Sequence, residues 1–142
     1  MSIELIQRDA VIKEALAWQG TPYHHQGRVK GAGVDCATLL CEVYEKAGVI
    51  PFVDPRPYPP DWHLHRNDEV YLGWLKKFAK EINNPKPGDV MVWKFGRCFS
   101  HGAIMINHDY VIHAYLRTPV SLANFKAEPL VSRPVKYFTL WA

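Results

Sequence analysis

The sequence predicts an α+β fold in which N-terminal helices pack on a central antiparallel β-sheet. Three observations carry that expectation. Apolar residues recur at helical spacing through the first half of the chain. From Val90 onward they alternate or fall in short runs. The turn Asn83-Asn84-Pro85-Lys86-Pro87-Gly88-Asp89 divides the two regimes.

Residues 3–18 read as the first helix. Ile3, Ile6, Ala10, Val11, Ala15 and Trp18 share one face, and Gly20 and Pro22 stop it. Residues 21–35 read as a loop punctuated by Pro22, Gly27, Gly31 and Gly33. A second helix is expected over residues 36–47, with Ala37, Leu40, Val43, Tyr44 and Ala47 inward, Asp35 capping its first turn and Gly48 ending it. Pro51, Pro55, Pro57, Pro59 and Pro60 exclude a regular helix or central strand from residues 51–66. That stretch fits either a loop serving a site or a cover over the core. A third helix is expected over residues 69–82, capped by Asn67 or Asp68, with Val70, Trp74, Leu75, Phe78 and Ile82 as its stripe. Strands follow at residues 90–95, 102–106 and 110–115, with two more at 120–122 and 135–141, as an antiparallel meander.

Composition bounds the function. A chain of 142 residues with 48% apolar and 22% charged residues fits one globular domain over residues 1–142. No apolar run nears the roughly 18 residues of a membrane span. Net charge is +3 with Lys and Arg scattered, so nucleic acid is not an expected partner. Met1-Ser2-Ile3-Glu4-Leu5-Ile6 has no basic segment, so no secretory signal is expected. The chain is then made in the cytoplasm or leaves by a route needing no signal. Cys36, Cys41 and Cys98 are an odd set for disulfides and lack zinc-knuckle spacing. Cys41 reads as a buried small hydrophobe and Cys98 as a loop cysteine. No cofactor is expected.

Cys36 stands apart because it opens a helix. The unpaired N–H groups there favour a thiolate and can hold a developing oxyanion. Its plainer reading is a buried cysteine that starts a helix. Such a nucleophile needs a base and a group to orient that base. His101 begins an apolar strand, where a lone histidine is commonly a surface residue. His113 lies among the apolar residues of the next strand and must find a polar partner. Pairing about Asn107-His108-Asp109 makes partner numbers sum to about 216, which puts His101 and His113 on one face in diagonal contact, about 7 Å apart. A cysteine at a helix start, a histidine at a strand start and a polar residue on the neighbouring strand follow the order of a papain-like triad.

The motifs resemble those of the NlpC/P60 family of cell-wall peptidases. Gly20-Thr21-Pro22-Tyr23, Val34-Asp35-Cys36, Lys86-Pro87-Gly88-Asp89-Val90, Ser100-His101-Gly102-Ala103-Ile104 and Val111-Ile112-His113-Ala114 resemble its signature segments in its order. The resemblance implies a papain-like fold, with Cys36 as nucleophile, His101 as base and His113 as orienting residue. It implies that Tyr23 reaches the oxyanion, that Asp35 contacts the substrate amine, and that Ser100 lines the cleft. The implied substrate is the D-γ-glutamyl–diamino acid bond of a peptidoglycan stem peptide. Gln26-Gly27-Arg28-Val29-Lys30-Gly31-Ala32-Gly33 resembles family members of phage tails, which implies a virion location and other tail proteins as partners. Three departures stand out: Ala37-Thr38 for Ser-Gly, Gly102-Ala103 for Val-Gly, and the Pro-rich insert at 51–62.

Three rival readings remain at this point. One is a zinc site from Cys36, His63, His65, His101 and His113. Another is a tail-assembly protein with an idle site, and the third is an amidase or transglutaminase-like enzyme using the same triad.

Overall fold

The structure is a computed structural model that describes residues 2–58 and 69–141. Helix α1 (Ile3–Ala17) is capped by the Ser2 side chain, which accepts from the Leu5 N–H at 3.2 Å. Its buried face is Arg8, Val11 and Ala15. Ile3 and Ile6, expected on that face, are exposed. The face is turned so that Arg8 reaches across to Asp89 and Thr139.

Strands β1 (Arg28–Val29) and β2 (Gly33–Val34) form a short hairpin inside the segment expected as loop. Gly31 turns it with a φ of 81°, a left-handed conformation that glycine adopts without strain. Helix α2 (Cys36–Lys46) starts and ends within one residue of expectation.

The third helix differs from its expectation. Helix α3 covers only Val70–Leu75, and Lys80–Ile82 form strand β3. Lys80, Glu81 and Ile82 pair with Thr139, Phe138 and Tyr137 at one edge of the sheet. Edge pairing to a distant segment overrides the local helical period. The cap expected from Asn67 or Asp68 lies outside the described residues.

The remaining strands are β4 (Val90–Phe95), β5 (Cys98–Met105), β6 (Tyr110–His113), β7 (Ser121–Asn124) and β8 (Val135–Thr139). Cys98 therefore begins a strand and is fully buried, not a loop cysteine. The sheet order is β3-β8-β4-β5-β6-β7, antiparallel at every pairing. A meander holds from β4 to β7, but β8 returns to lie between β3 and β4.

Each face of the sheet carries its own core. Val90, Val92, Ile104, Ile112 and Phe138 meet the helices through Val11, Leu39, Val43 and Leu72. Met91, Trp93, Ala103, Met105 and Val111 face the other way and are covered by Leu130. Residues of opposite parity thus serve opposite layers. No helix among the described residues is long and apolar enough to cross a membrane.

Candidate active site

The site lies where the start of α2 meets the end of β6 and the bulged middle of β5, which starts at Cys98 rather than at His101 as expected. Asp35 is the N-cap of α2, and its Oδ1 accepts from the N–H groups of Ala37 at 3.1 Å and Thr38 at 3.0 Å. Thr38 Oγ1 in return accepts from the Asp35 N–H at 3.0 Å, completing a capping box, and donates to the Gly27 carbonyl. The Thr38 departure from the family motif is therefore structural: its hydroxyl locks the turn before Cys36. With Ala37 and Thr38 engaged, the Cys36 N–H is the first-turn donor left open among the described residues.

Cys36 is half-buried, and its thiol donates to the Ser100 carbonyl at 3.5 Å. Burial and then the Asp35 charge push the thiol up to about 12, against a smaller downward pull from the Gly102 and Cys36 N–H groups and the Tyr71 hydroxyl. The helix start does favour the thiolate, as expected, but desolvation is the larger effect here.

The carbonyl that meets Cys36 belongs to a bulge. Trp93 pairs with His101 and Lys94 with Phe99, which leaves Ser100 as the extra residue in β5. A bulge bends its strand and re-aims neighbouring side chains. The Ser100 hydroxyl ties the bulge down by donating to the Phe95 carbonyl at 3.3 Å.

His101 and His113 meet directly: His101 Nε2 lies 2.8 Å from His113 Nδ1. The β5–β6 register pairs Ile104 with Ile112 and Met105 with Val111, so the partner numbers sum to 216 as expected from the turn. In the tautomer where His101 Nε2–H donates, His101 Nδ1 keeps a free lone pair. Burial and the neighbouring His113 hold His101 well below the usual histidine range, and burial holds His113 at about 4. Both rings are therefore neutral at pH 7. Trp93, Phe95 and Tyr115 surround the His101 ring at centroid distances of 6.0, 5.6 and 5.2 Å.

Cys36 and His101 open onto one cleft of about 170 Å³, together with Tyr23, His25, Asp35, Tyr58, Tyr71, Phe95, Ser100 and Tyr115. Of the six site residues expected from the sequence, Tyr23, Asp35, Cys36, Ser100 and His101 line this cleft, and His113 is hydrogen-bonded to His101. The Tyr23 phenol is pushed up by burial and then by Cys36 and Asp35, so it stays protonated as a donor.

Sequence reading missed Tyr58 and Tyr71. Tyr58 lay in a proline-rich stretch whose role was open. Tyr71 sits on a short helix with no motif around it. Its hydroxyl donates to the Cys36 carbonyl at 3.1 Å, and a Cβ at Gly102 would lie 2.1 Å from that hydroxyl. The glycine at 102 is thus what admits Tyr71 beside Cys36. Among the described residues no group of three or more His, Cys, Asp or Glu is arranged to hold a metal, and His63 and His65 lie outside them.

No curated protein matches the chain. Solved structures do. The NlpC/p60 domain of the peptidoglycan hydrolase SagA is 20% identical, with a TM-score of 0.64 over 91% of this chain and 96% of that one. A lipoprotein-like NLP/P60 protein of Staphylococcus aureus is 20% identical, with a TM-score of 0.65 over 96% of this chain but 42% of its own length. RipD of Mycobacterium tuberculosis, described as a non-catalytic NlpC/p60 protein adapted to binding peptidoglycan, is 15% identical, with a TM-score of 0.61 over 94% of this chain and 97% of that one. At these identities the likeness is one of fold. The NlpC/P60 family model itself matches residues 20–137, most of the chain, and the chain belongs to the NlpC/P60 family.

Proposed function

We propose that the protein is a cysteine peptidase that hydrolyses peptidoglycan stem peptides at a D-γ-glutamyl–diamino acid bond. The observation that carries this reading is the sharing of one cleft by a thiol at a helix start and a hydrogen-bonded histidine pair. The family match and the SagA neighbour support the substrate class.

In the proposed reaction the resting pair is neutral. Cys36 Sγ attacks the scissile carbonyl while its proton passes to His101 Nδ1. The Cys36 N–H and the Tyr23 hydroxyl receive the oxyanion. The imidazolium then gives its proton to the leaving amine, and the carbon–nitrogen bond breaks. Water attacks the thioester with His101 as base, and the thiol regains its proton as it leaves. His113 holds the His101 ring so that Nδ1 faces the cleft, and the Ser100 bulge lines it.

A second reading, peptidoglycan binding without hydrolysis, is favoured by the raised Cys36 thiol and by the non-catalytic RipD neighbour. Digestion of purified peptidoglycan, followed by mass spectrometry of released peptides, separates the two. Wild type should release new amino termini, while Cys36→Ser and His101→Ala should fall by at least ~10³-fold. Sacculus binding with no release by wild type would favour the second reading. The phage-tail location is part of the proposal, with the chain expected in purified virions.

A further inference from the structure

Besides Cys36, the cleft is lined by Asp35, His25, His101 and the phenols of Tyr23, Tyr58, Tyr71 and Tyr115. Tyr58, delivered by the proline-rich strap before it, donates to Asp35 Oδ2. The Tyr115 ring stands edge-on to His101 and stacks on His113. Among the described residues, Tyr71 is the phenol that bonds to Cys36 itself, donating to its carbonyl at 3.1 Å.

The Tyr71 oxygen is fixed in place. The side chain is buried, and its hydroxyl is wedged between the Cys36 carbonyl and Gly102, where a Cβ would lie 2.1 Å away. Behind the ring is a cavity of about 90 Å³ lined by Leu40, Val53, Trp74, Leu75 and Phe78, which offer the hydroxyl no acceptor. The hydroxyl proton, in contrast, is free to rotate about the carbon–oxygen bond. The Cys36 carbonyl is the first of α2 and also accepts the helical N–H four residues on, so it stays satisfied when that proton turns away.

The thiol rests by donating to the Ser100 carbonyl. Once it ionises, the sulfur becomes an acceptor and needs donors. The Gly102 N–H, the Cys36 N–H and the Tyr71 hydroxyl all favour the ionised sulfur, against burial and the Asp35 charge. Burial and then the Cys36 and Cys41 charges hold the Tyr71 phenol well above its ordinary range, so it remains a donor while the thiol ionises.

Resting on the peptidase reading above for what the sulfur attacks, we infer that Tyr71 is a positioning residue for Cys36, whose hydroxyl proton lies on the Cys36 carbonyl at rest and turns to the sulfur as the thiol is deprotonated. The phenol keeps its own proton throughout. The thiol proton leaves to His101 in the peptidase reaction and to water in simple alkylation.

Tyr71→Phe removes the hydroxyl and leaves no buried group unpaired, so its urea midpoint should match wild type. Iodoacetamide alkylation of Cys36 at about pH 9, read by mass spectrometry of the Cys36 peptide, should slow by about threefold or more. A thiol raised by about one pH unit has about tenfold less thiolate, and the greater nucleophilicity of that thiolate offsets about threefold of the loss. A merely structural role would loosen the packing and speed alkylation, so the sign separates the two. Alkylation equal to or faster than wild type overturns the inference. On a stem peptide carrying the D-γ-glutamyl–diamino acid bond, kcat/KM should fall by about threefold or more. Wild-type kcat/KM beside slowed alkylation also overturns it. Slowed alkylation with no cleavage by wild type keeps the Tyr71 role and sinks the peptidase reading. Should Tyr71→Phe lose its urea transition, Gly102→Ala carries the test, because its Cβ displaces the same hydroxyl. Slower alkylation in that variant supports the inference, and equal or faster alkylation overturns it.

Discussion

At the residue scale, the state of Cys36 governs what the site does at rest. A thiol raised to about 12 and a histidine held low, opening onto one cleft, are both neutral at rest rather than a preformed thiolate–imidazolium. In the proposed reaction the proton then moves during attack, not before it. Iodoacetamide alkylation of Cys36 should therefore rise steadily with pH from neutral into the alkaline range. A plateau of fast alkylation reaching down to acid pH, lost in His101→Ala, would show an ion pair and refute the neutral one. Cys41 and Cys98 are the background in that measurement. Burial lifts Cys41 to about 11, and Cys98 is fully buried. Cys36→Ser subtracts both.

At the scale of the element, the start of α2 is set by two side chains that satisfy each other. Asp35 serves the Ala37 and Thr38 N–H groups, and Thr38 serves the Asp35 N–H. Thr38→Val keeps the shape and deletes the hydroxyl, leaving a buried N–H unpaired. That should cost about 1–3 kcal/mol in urea denaturation. It should also slow turnover, because the same turn sets the Cys36 N–H and thiol. Full stability in that variant would mean that Asp35 alone fixes the turn. The bulge at Ser100 does the matching task on β5, bringing its carbonyl to the thiol.

At the scale of the molecule, the helices and sheet are tied by a buried ion pair. Arg8 on α1 donates to Asp89 Oδ1 and to the Pro87 carbonyl, both at 3.0 Å, and its guanidinium lies 4.3 Å over the Trp141 ring. Tyr44 on α2 donates to the Gly88 carbonyl at 2.6 Å. The Pro-Gly-Asp turn is thus the junction of both helices with β4. Arg8→Ala leaves Asp89 buried and unpaired and should cost about 3–5 kcal/mol, read as a lower urea midpoint. Wild-type stability in that variant would show the junction to be held by packing alone.

The histidine pair adds an acid limit to the whole fold. Burial holds His113 at about 4 in the folded chain, against about 6.5 in the unfolded one. Across that window the unfolded chain binds a proton that the folded chain refuses, so stability rises with pH and falls on acidification. His113 by itself should account for about 3 kcal/mol lost by pH 4. His113→Asn should flatten that dependence; an equal slope in both proteins would assign the acid sensitivity elsewhere.

The sequence by itself determined the order and kind of most of the main elements, put Cys36 at a helix start and put the two imidazoles on one face of the sheet. These depend on local period, on a cap beside a helix start, and on a tight turn whose length fixes the β5–β6 register. Pairing arithmetic was enough to bring His101 and His113 to one face, because register propagates residue by residue from the turn. Only the tertiary structure decided what depends on distant partners. Residues 80–82 leave their helical pattern because β8, more than fifty positions away, offers them a sheet edge. Tyr71 comes beside Cys36 because Gly102 leaves space for it. Tyr58 reaches Asp35 because the strap is anchored to the hairpin and α2. The protonation of the thiol likewise followed from burial, a property of the assembled fold that no spacing in the chain encodes.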